Sequence, residues 1–311
     1  MKWLVLGAGA LGGYFGGRLV EAGEDVAFLV RARRHGQLRQ AGLVIRSPMG
    51  DVHVAAPACV EAGAPGADYD VVLLGCKAYD LDSAMDAIAP AVGANTAVLP
   101  LLNGLSHIDR LRERFGAARV LGGMCQISAA LDETGAIVHF NRLDTLAWGE
   151  LDRTRGMRVE AIEAAFARCH FTARTSPDIL QEMWEKWIFI AAMAGVTCLF
   201  RAAIGDIVHA DGTEVATGIL DEGVAIAAAA GHAPRAAQLE QMRKFLTRPD
   251  STLTASMLKD VERGARTEGE HILGELLGRA PTAAPAPRLL ALAAIALQAY
   301  EVRRVREAAA R

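Results

Sequence analysis

Short apolar runs alternate with helical patterns over the first 176 residues. Four of the runs lack the alternating polarity of half-exposed strands, which predicts parallel strands covered on both faces. These runs lie at residues 3–6, 25–30, 70–76 and 96–101. The helical patterns between them lie at 13–22, 34–40 and 81–88. This order of strand and helix predicts a doubly wound sheet of the Rossmann type.

A second group of apolar runs is separated by turn signals such as Pro48-Met49-Gly50. Turns of this kind favour antiparallel strands. The runs lie at residues 43–46, 52–55, 126–131, 136–140 and 145–148. A helix at 157–169 and a last strand at 171–175 complete the predicted first domain.

The pattern changes after Ser176-Pro177, where strand signals give way to long helical patterns. A serine cap followed by proline is typical of a helix start. Helices are predicted at 178–199, 214–230, 235–247, 253–278 and 287–309, with a proline-containing connection at 278–287. The predicted fold class is therefore α/β, with an N-terminal Rossmann-type doubly wound sheet (residues 1–176) followed by an all-helical C-terminal domain (residues 177–311).

Composition and charge exclude several classes of protein. A net charge of −3, a pI near 6.3 and 5% aromatic residues argue against nucleic-acid and membrane-surface partners. The apolar stretches at 187–200 and 289–300 are shorter than the roughly 20 residues that cross a bilayer, and no secretory signal precedes the first strand. Five widely spaced cysteines and eight scattered histidines indicate free thiols and no metal site. We expect a cytoplasmic protein.

A glycine motif directly follows the first predicted strand and begins a helix. Its residues are Gly7, Ala8, Gly9, Ala10, Leu11 and Gly12. The first glycine permits a tight turn, the second lets the backbone approach a pyrophosphate, and the third lets helix pack on strand. The motif predicts a dinucleotide site, the alternative being a purely structural glycine turn.

The end of the second strand indicates which dinucleotide is bound. A site for NAD usually has an acidic residue there, whereas this chain has Arg31, followed by Arg33 and Arg34. Arg31 can pair with a 2′-phosphate, supported by Arg33 or Arg34, so the sequence predicts NADP. The alternative is a solvated basic helix start.

Four further segments, taken with the glycine motif, resemble the ketopantoate reductase (2-dehydropantoate 2-reductase) family. They are LGCKA at 74–78, PLLNG at 100–104, MWEKW at 183–187, and SMLKD at 256–260 with RTE at 266–268. The resemblance implies NADPH-dependent reduction of a small 2-oxo acid, ketopantoate, to pantoate. Helical second domains of related reductases often pair, so the apolar stretch 289–296 is either core or the surface of a homodimer.

The resemblance also implies the catalytic residues. Reduction of a ketone by hydride requires a proton donor, and Lys186 matches the family's catalytic lysine. Its alternative role is an ion pair with Glu182, one turn earlier on the same helix. Glu268 is expected to orient Lys186 and to contact the cofactor.

Three polar residues complete the implied site. Asn103 and Lys77 follow strands, and the family's matching residues face the cofactor and, for Asn103, the substrate; the alternatives are a tight Asn-Gly turn and a solvated lysine. Ser256 is expected to bind the substrate carboxylate. The predicted helix 253–278 places Ser256 and Glu268 on one ridge, with Asp260 and Gly264 between them.

The chain departs from the family pattern at three positions in the substrate region. Ile190, Ala194 and Leu253 stand where the family has asparagines that contact substrate oxygens. Because alkyl side chains cannot make those hydrogen bonds, selectivity for a hydroxylated substrate should suffer. The alternative within the family is therefore a 2-hydroxy acid dehydrogenase for a more apolar 2-oxo acid. An alternative from another class of protein is a non-catalytic NADP-binding protein that keeps the fold.

Overall fold

The structure of the chain, a computed structural model, describes residues 1–61, 66, 68–282 and 286–310. Contacts divide the chain into two units, the first formed by residues 1–103 and 107–180 and the second by residues 104–106 and 181–311. The part of the predicted proline-containing connection at residues 283–285 lies outside the described residues, as does residue 311 of the predicted second domain.

The first unit contains a five-stranded parallel sheet with the order β5-β2-β1-β6-β7. The strands are β1 (Lys2–Leu6), β2 (Asp25–Val30), β5 (Ala58–Glu61), β6 (Val71–Leu74) and β7 (Ala97–Pro100). All neighbouring strands pair in parallel, so the doubly wound sheet predicted from the buried runs is confirmed. The pattern missed β5, an edge strand of four residues.

A second sheet of the first unit is mixed rather than wholly antiparallel. Its strands are β3 (Leu43–Arg46), β4 (Val52–Val54), β8 (Gly122–Leu131), β9 (Ile137–Gly149) and β10 (Ala173–Thr175). The runs predicted as separate strands at 136–140 and 145–148 form the single strand β9. It pairs antiparallel with β8 across a tight turn, but parallel with β3 and β10. Turn signals predict only the local pairing, because the parallel partners lie far away in sequence.

The first helix, α1 (Ala10–Glu21), packs on both sheets through two pairs of glycines. A Cβ on Gly16 would lie 2.6 Å from the Phe28 ring in the first sheet. On the neighbouring stripe of the helix, about 100° or less away, a Cβ on Gly13 or Gly17 would lie 2.5 or 2.7 Å from Ile137 or Ile45 of the second sheet. Small residues on these two stripes therefore let α1 pack closely on both sheets.

The other helices of the first part of the chain are α2 (Ala32–Ala41), α3 (Leu81–Ile88), α4 (Ser106–Phe115) and α5 (Met157–Phe166). The sequence pattern predicted α2, α3 and α5 but not α4. That helix buries only His107, Ile108 and Leu111, so its apolar stripe is short.

The second unit is helical throughout its described residues. Its helices are α6 (Ile179–Phe200, whose first two residues belong to the first unit), α7 (Ile204–His209), α8 (Thr213–Ala229), α9 (Ala236–Leu246), α10 (Ser256–Glu262), α11 (Glu275–Gly278) and α12 (Arg288–Ala309). A π-helical turn, Glu270–Gly274, leads into α11. Four of the five predicted helices agree with α6, α8, α9 and α12.

The predicted helix 253–278 is wrong, because Gly264 ends α10. Gly264 adopts a left-handed φ of +68°. Its N–H donates to Val261, and the N–H of Ala265 donates to Asp260 at 2.9 Å, the two bonds that close a helix at glycine. Ser256 and Glu268 therefore do not share one helix ridge.

Helix α6 is longer than the apolar stretch recognised in the sequence. Its 22 residues are enough, by length and composition, to cross a membrane. Its most apolar window is 72% buried inside the protein, however, and buried core helices meet the same criteria.

Candidate functional site

The glycine loop lies at the carboxyl end of β1, and its geometry depends on three glycines. Gly7 has φ +84°, and its N–H donates to Leu29 in β2 at 2.9 Å. A Cβ on Gly12 would overlap the Gly7 carbonyl oxygen, whereas one on Gly9 would have no atom of the described residues within 4 Å. The backbone at the start of α1 is thus approachable, which fits the pyrophosphate of a dinucleotide.

A further glycine supports this loop. Gly75, directly after β6, is so close that a Cβ on it would lie 2.8 Å from the Gly12 nitrogen. The sequence contained Gly75 in the LGCKA segment but did not indicate this role. Close packing of the β6 end on the loop therefore requires glycine at both 12 and 75.

Arg31 and Arg34 have different environments. Arg31 precedes α2, its side chain is 75% exposed, and its Nη2 lies 3.3 Å from Asp80 Oδ1. Arg34 instead donates from Nε to the Ala8 carbonyl at 2.9 Å and from Nη1 to the Gly135 carbonyl at 2.8 Å. Burial lowers the pKa of Arg34. Arg34 thus braces the glycine loop from inside, and of the two arginines expected to support Arg31 at a phosphate, Arg33 is the exposed one.

Lys77 and Asn103 lie at the same edge of the first sheet as the glycine loop. Lys77 is exposed and precedes a short 3-10 turn, Ala78–Asp80, after β6. Asn103 is half-buried and follows β7. Because β1, β6 and β7 are parallel neighbours, their carboxyl ends bring these residues to the edge where doubly wound sheets bind ligands.

In the second unit, Lys186, Ile190 and Ala194 follow one another at four-residue intervals along α6. Lys186 and Ile190 are half-buried, and Ala194 is 3% exposed. Thr197, in the next turn, donates to Met193 at 2.6 Å and accepts the N–H of Ala255 at 3.3 Å. The second bond attaches the segment before α10 to α6.

Leu253 lies on that attached segment, and Ser256 follows it directly. Ser256 is exposed at the first residue of α10, and Leu253 is 46% exposed. The Leu253 carbonyl accepts the N–H of Ile204 at 3.0 Å. Thr197 was not singled out in the sequence, although its buried hydroxyl links the two predicted parts of the substrate region.

The residues flanking Lys186 are tightly bound. The buried Glu185 carboxylate accepts from the Arg235 N–H at 2.8 Å and from its Nε at 2.9 Å. Burial would raise the pKa of Glu185, but the hydrogen bonds from Arg235 outweigh it and lower the pKa. On the other side, the Trp187 indole donates to the Ile272 carbonyl at 2.9 Å. The helix turn that carries Lys186 is thus held on both sides.

Glu268 lies in the short segment between α10 and the π-helical turn. Its side chain is half-buried, and its carbonyl accepts the N–H of Ile272 at 2.9 Å. The preceding residue, Thr267, donates from its N–H at 2.6 Å and its hydroxyl at 2.8 Å to Glu301 of α12. These bonds, rather than a continuous helix, place Glu268.

An imidazole–carboxylate pair, absent from the sequence predictions, lies next to Gly104. His271 Nδ1 is 2.9 Å from Glu275 Oε2, and a Cβ on Gly104 would lie 2.9 Å from His271 Nε2. Burial opposes ionisation of Glu275, yet hydrogen bonds from His271 and Ser106 lower its pKa. Gly104 has φ +80°, so both backbone and space require glycine there. A histidine four residues before a glutamate on a helix was the available signal.

Among the residues that the structure describes, no group of three histidine, cysteine or acidic residues is arranged to hold a metal ion. All five cysteines are free thiols.

Two family models match the chain. Residues 3–153 match the model described as ketopantoate reductase PanE/ApbA, and residues 178–300 match its C-terminal counterpart. Together they cover most of both units.

Individual proteins of known sequence or structure are similar along nearly the whole chain. An uncharacterized oxidoreductase, YkpB, of Bacillus subtilis is 37% identical over 97% of this chain and 99% of its own. A 2-dehydropantoate 2-reductase of Pyrococcus horikoshii is 30% identical over 89% of this chain and 90% of its own. The crystal structure of 2-dehydropantoate 2-reductase from Geobacter metallireducens superposes with a TM-score of 0.86, at 27% identity, covering 96% of this chain and 99% of that one.

Proposed function

The chain belongs to the ketopantoate reductase family, an oxidoreductase family that uses pyridine nucleotides, and from this premise we propose that it reduces a 2-oxo acid to a 2-hydroxy acid with NADPH. The observation that carries the proposal is the glycine-lined start of α1 with Arg31 at the end of the neighbouring strand. Residues 1–176 would bind the cofactor, and residues 177–311 would supply the proton donor and most substrate contacts.

The proposed roles of the residues follow from the chemistry of ketone reduction. The bound nicotinamide supplies a hydride to the ketone carbon, and the ketone oxygen needs a proton at the same time. Lys186 donates that proton, with Glu268 orienting its ammonium group. Asn103, on a sheet edge with Lys77, contacts the nicotinamide and substrate region, and Ser256 binds the substrate carboxylate.

The substitution Lys186→Ala tests the catalytic proposal. We expect kcat to fall by about 10²- to 10⁴-fold, the usual contribution of a general acid, while NADPH binding measured by nucleotide fluorescence is retained. Glu182→Gln is the matched control, because it removes the alternative ion-pair partner one turn away. A non-catalytic NADP-binding protein would instead show only background turnover before any substitution is made.

The identity of the substrate has two candidates. Family membership supports ketopantoate, whereas the alkyl side chains of Ile190, Ala194 and Leu253 favour a more apolar 2-oxo acid. A panel of 2-oxo acids with hydroxylated, branched aliphatic and aromatic side chains, each assayed with NADPH, separates them. A kcat/KM for ketopantoate well below about 10⁴ M⁻¹s⁻¹, with a higher value for an apolar acid, supports the second candidate.

Two further proposals concern the state of the protein in the cell. A cytoplasmic location agrees with a small-molecule metabolic reaction that depends on NADPH.

A homodimer through the helical unit is proposed from the apolar stretch 289–296, in which Leu292 and Ile295 are 50% and 60% exposed. Light scattering on the purified protein measures the oligomeric state directly.

A further inference from the structure

An acidic residue is paired with the predicted phosphate-binding arginine. Arg31 follows β2 and Asp80 ends the 3-10 turn after β6, so the two side chains meet across the carboxyl end of β1, which lies between those strands. Arg31 Nη2 is 3.3 Å from Asp80 Oδ1, and the side chains are 75% and 38% exposed. The ion pair therefore bridges the strand from which the glycine loop begins.

We propose that Asp80 lowers the preference of the site for NADPH over NADH, because its carboxylate repels the 2′-phosphate held by Arg31. This inference rests on the proposed function, since it takes NADPH as the cofactor. A guanidinium group has five N–H donors in a planar fork, so Arg31 can keep one N–H on Asp80 and offer others to a phosphate. The two anions then lie on neighbouring edges of the same small group, close enough to repel each other. The Asp80 carboxylate then repels the 2′-phosphate of NADPH. NADH has no 2′-phosphate, so this repulsion is absent when NADH binds.

Two effects of Asp80 oppose each other. The ion pair orders the long Arg31 side chain before the nucleotide arrives, which favours binding, but exposed pairs contribute little. Repulsion between a carboxylate and a phosphate carrying about −1.5 to −2 charges is larger at this separation, even in water. Repulsion therefore prevails, and it should weaken binding of NADPH by about three- to tenfold relative to a neutral residue.

The test measures nucleotide binding, not turnover. Dissociation constants for NADPH and NADH are determined by fluorescence titration for the unmodified protein, Asp80→Asn, Arg31→Met and the control Asp82→Asn. Asp82 is also an exposed acid, two residues further on, but its partner is Arg110. It therefore controls for the change in net charge. Circular dichroism of each variant verifies folding.

We expect Asp80→Asn to tighten NADPH binding about three- to tenfold with NADH changed less than twofold, and the gain to shrink in 0.5 M salt. Asp82→Asn should change both constants less than twofold. The inference is overturned if Arg31→Met weakens NADPH binding but Asp80→Asn leaves the ratio of the NADPH and NADH dissociation constants unchanged. It is also overturned if Asp80→Asn weakens NADPH binding. If Arg31→Met has no effect on NADPH, the proposed NADP site is wrong and the inference fails with it.

Discussion

Substitution of Glu185 by glutamine should destabilise the helical unit through the loss of one buried charge. The Glu185 side chain is 5% exposed and accepts hydrogen bonds from the Arg235 backbone and guanidinium groups, joining α6 to the residue before α9. Glutamine keeps the size of the side chain but removes its charge. It can also accept fewer of these bonds, because one of its oxygens is replaced by an amide group.

The magnitude follows from the unequal burial of the two partners. Breaking a fully buried ion pair costs about 3–5 kcal/mol, because an unpaired charge remains inside the protein. Arg235 is 55% exposed and can be hydrated once its partner is neutral, which reduces the cost. We expect Glu185→Gln to lower the free energy of unfolding by about 2 kcal/mol at pH 7.

The same substitution predicts a pH dependence. The pKa of Glu185 is lowered in the folded protein, since the hydrogen bonds from Arg235 outweigh burial. Its stabilising charge is therefore fully present above the pKa of an unfolded glutamate, about 4.3, and is lost as the pH falls through the lower folded value. The stabilities of the variant and the unmodified protein should begin to converge as the pH falls below about 4.3, and should meet only below the folded pKa of Glu185.

Urea unfolding followed by circular dichroism at pH 7 and at lower pH measures this difference. Glu240→Gln is the matched control, because Glu240 pairs with Lys244 at 2.7 Å on the exposed face of α9 and both side chains are more than two-thirds exposed. The control should leave the free energy of unfolding nearly unchanged, because exposed ion pairs contribute little to stability. A Glu185→Gln effect as small as that of the control, or one independent of pH, would refute the reasoning.

Two other substitutions probe glycines whose roles differ. Gly12→Ala places a Cβ onto the Gly7 carbonyl oxygen, so the loop must shift. NADPH affinity, measured by fluorescence titration, should therefore fall at least about tenfold. An unchanged affinity would show that the loop does not hold the nucleotide. Gly264→Ala forces a residue with a Cβ into φ +68°, which should lower the free energy of unfolding by about 1 kcal/mol. The thermal midpoint in a calorimetric scan should fall by a few degrees. The control Gly278→Ala, at a position with negative φ at the end of α11, should be nearly neutral.

The parallel sheet was predictable because its strands are buried on both faces, and such strands read as continuous apolar runs. The same rule failed for β5, whose four residues are only partly buried and so carry a weak apolar signal. It also failed to unite the two runs of β9, because exposed polar residues interrupt the strand. Long-range parallel pairing leaves no local turn signal to read.

The sequence predicted which residue types form the site better than it predicted which hydrogen bonds and packing contacts those residues make. The glycine loop and Arg31 follow from their positions after strands, but Arg34 shows that basic residues in one cluster can have opposite environments. Gly264 lay inside a helical pattern, where a single glycine is only mildly unfavourable, so its left-handed conformation was not apparent. The His271–Glu275 pair follows a four-residue helical spacing, but the contact of His271 with Gly104 depends on tertiary packing, which no spacing rule describes.

The strand β9 also bears on the order in which the first unit can be completed during synthesis. The outer face of α1, with Gly13 and Gly17, packs on Ile137 of β9 and on Ile45 of β3, and β3 itself pairs with β9. During synthesis, α1, β3 and the parallel sheet are all made before β9, so this face of α1 lacks its contact with β9 until later. Nascent chains ending before about residue 150 should therefore expose this face and depend on chaperones, while chains that include β9 should bury it and resist protease.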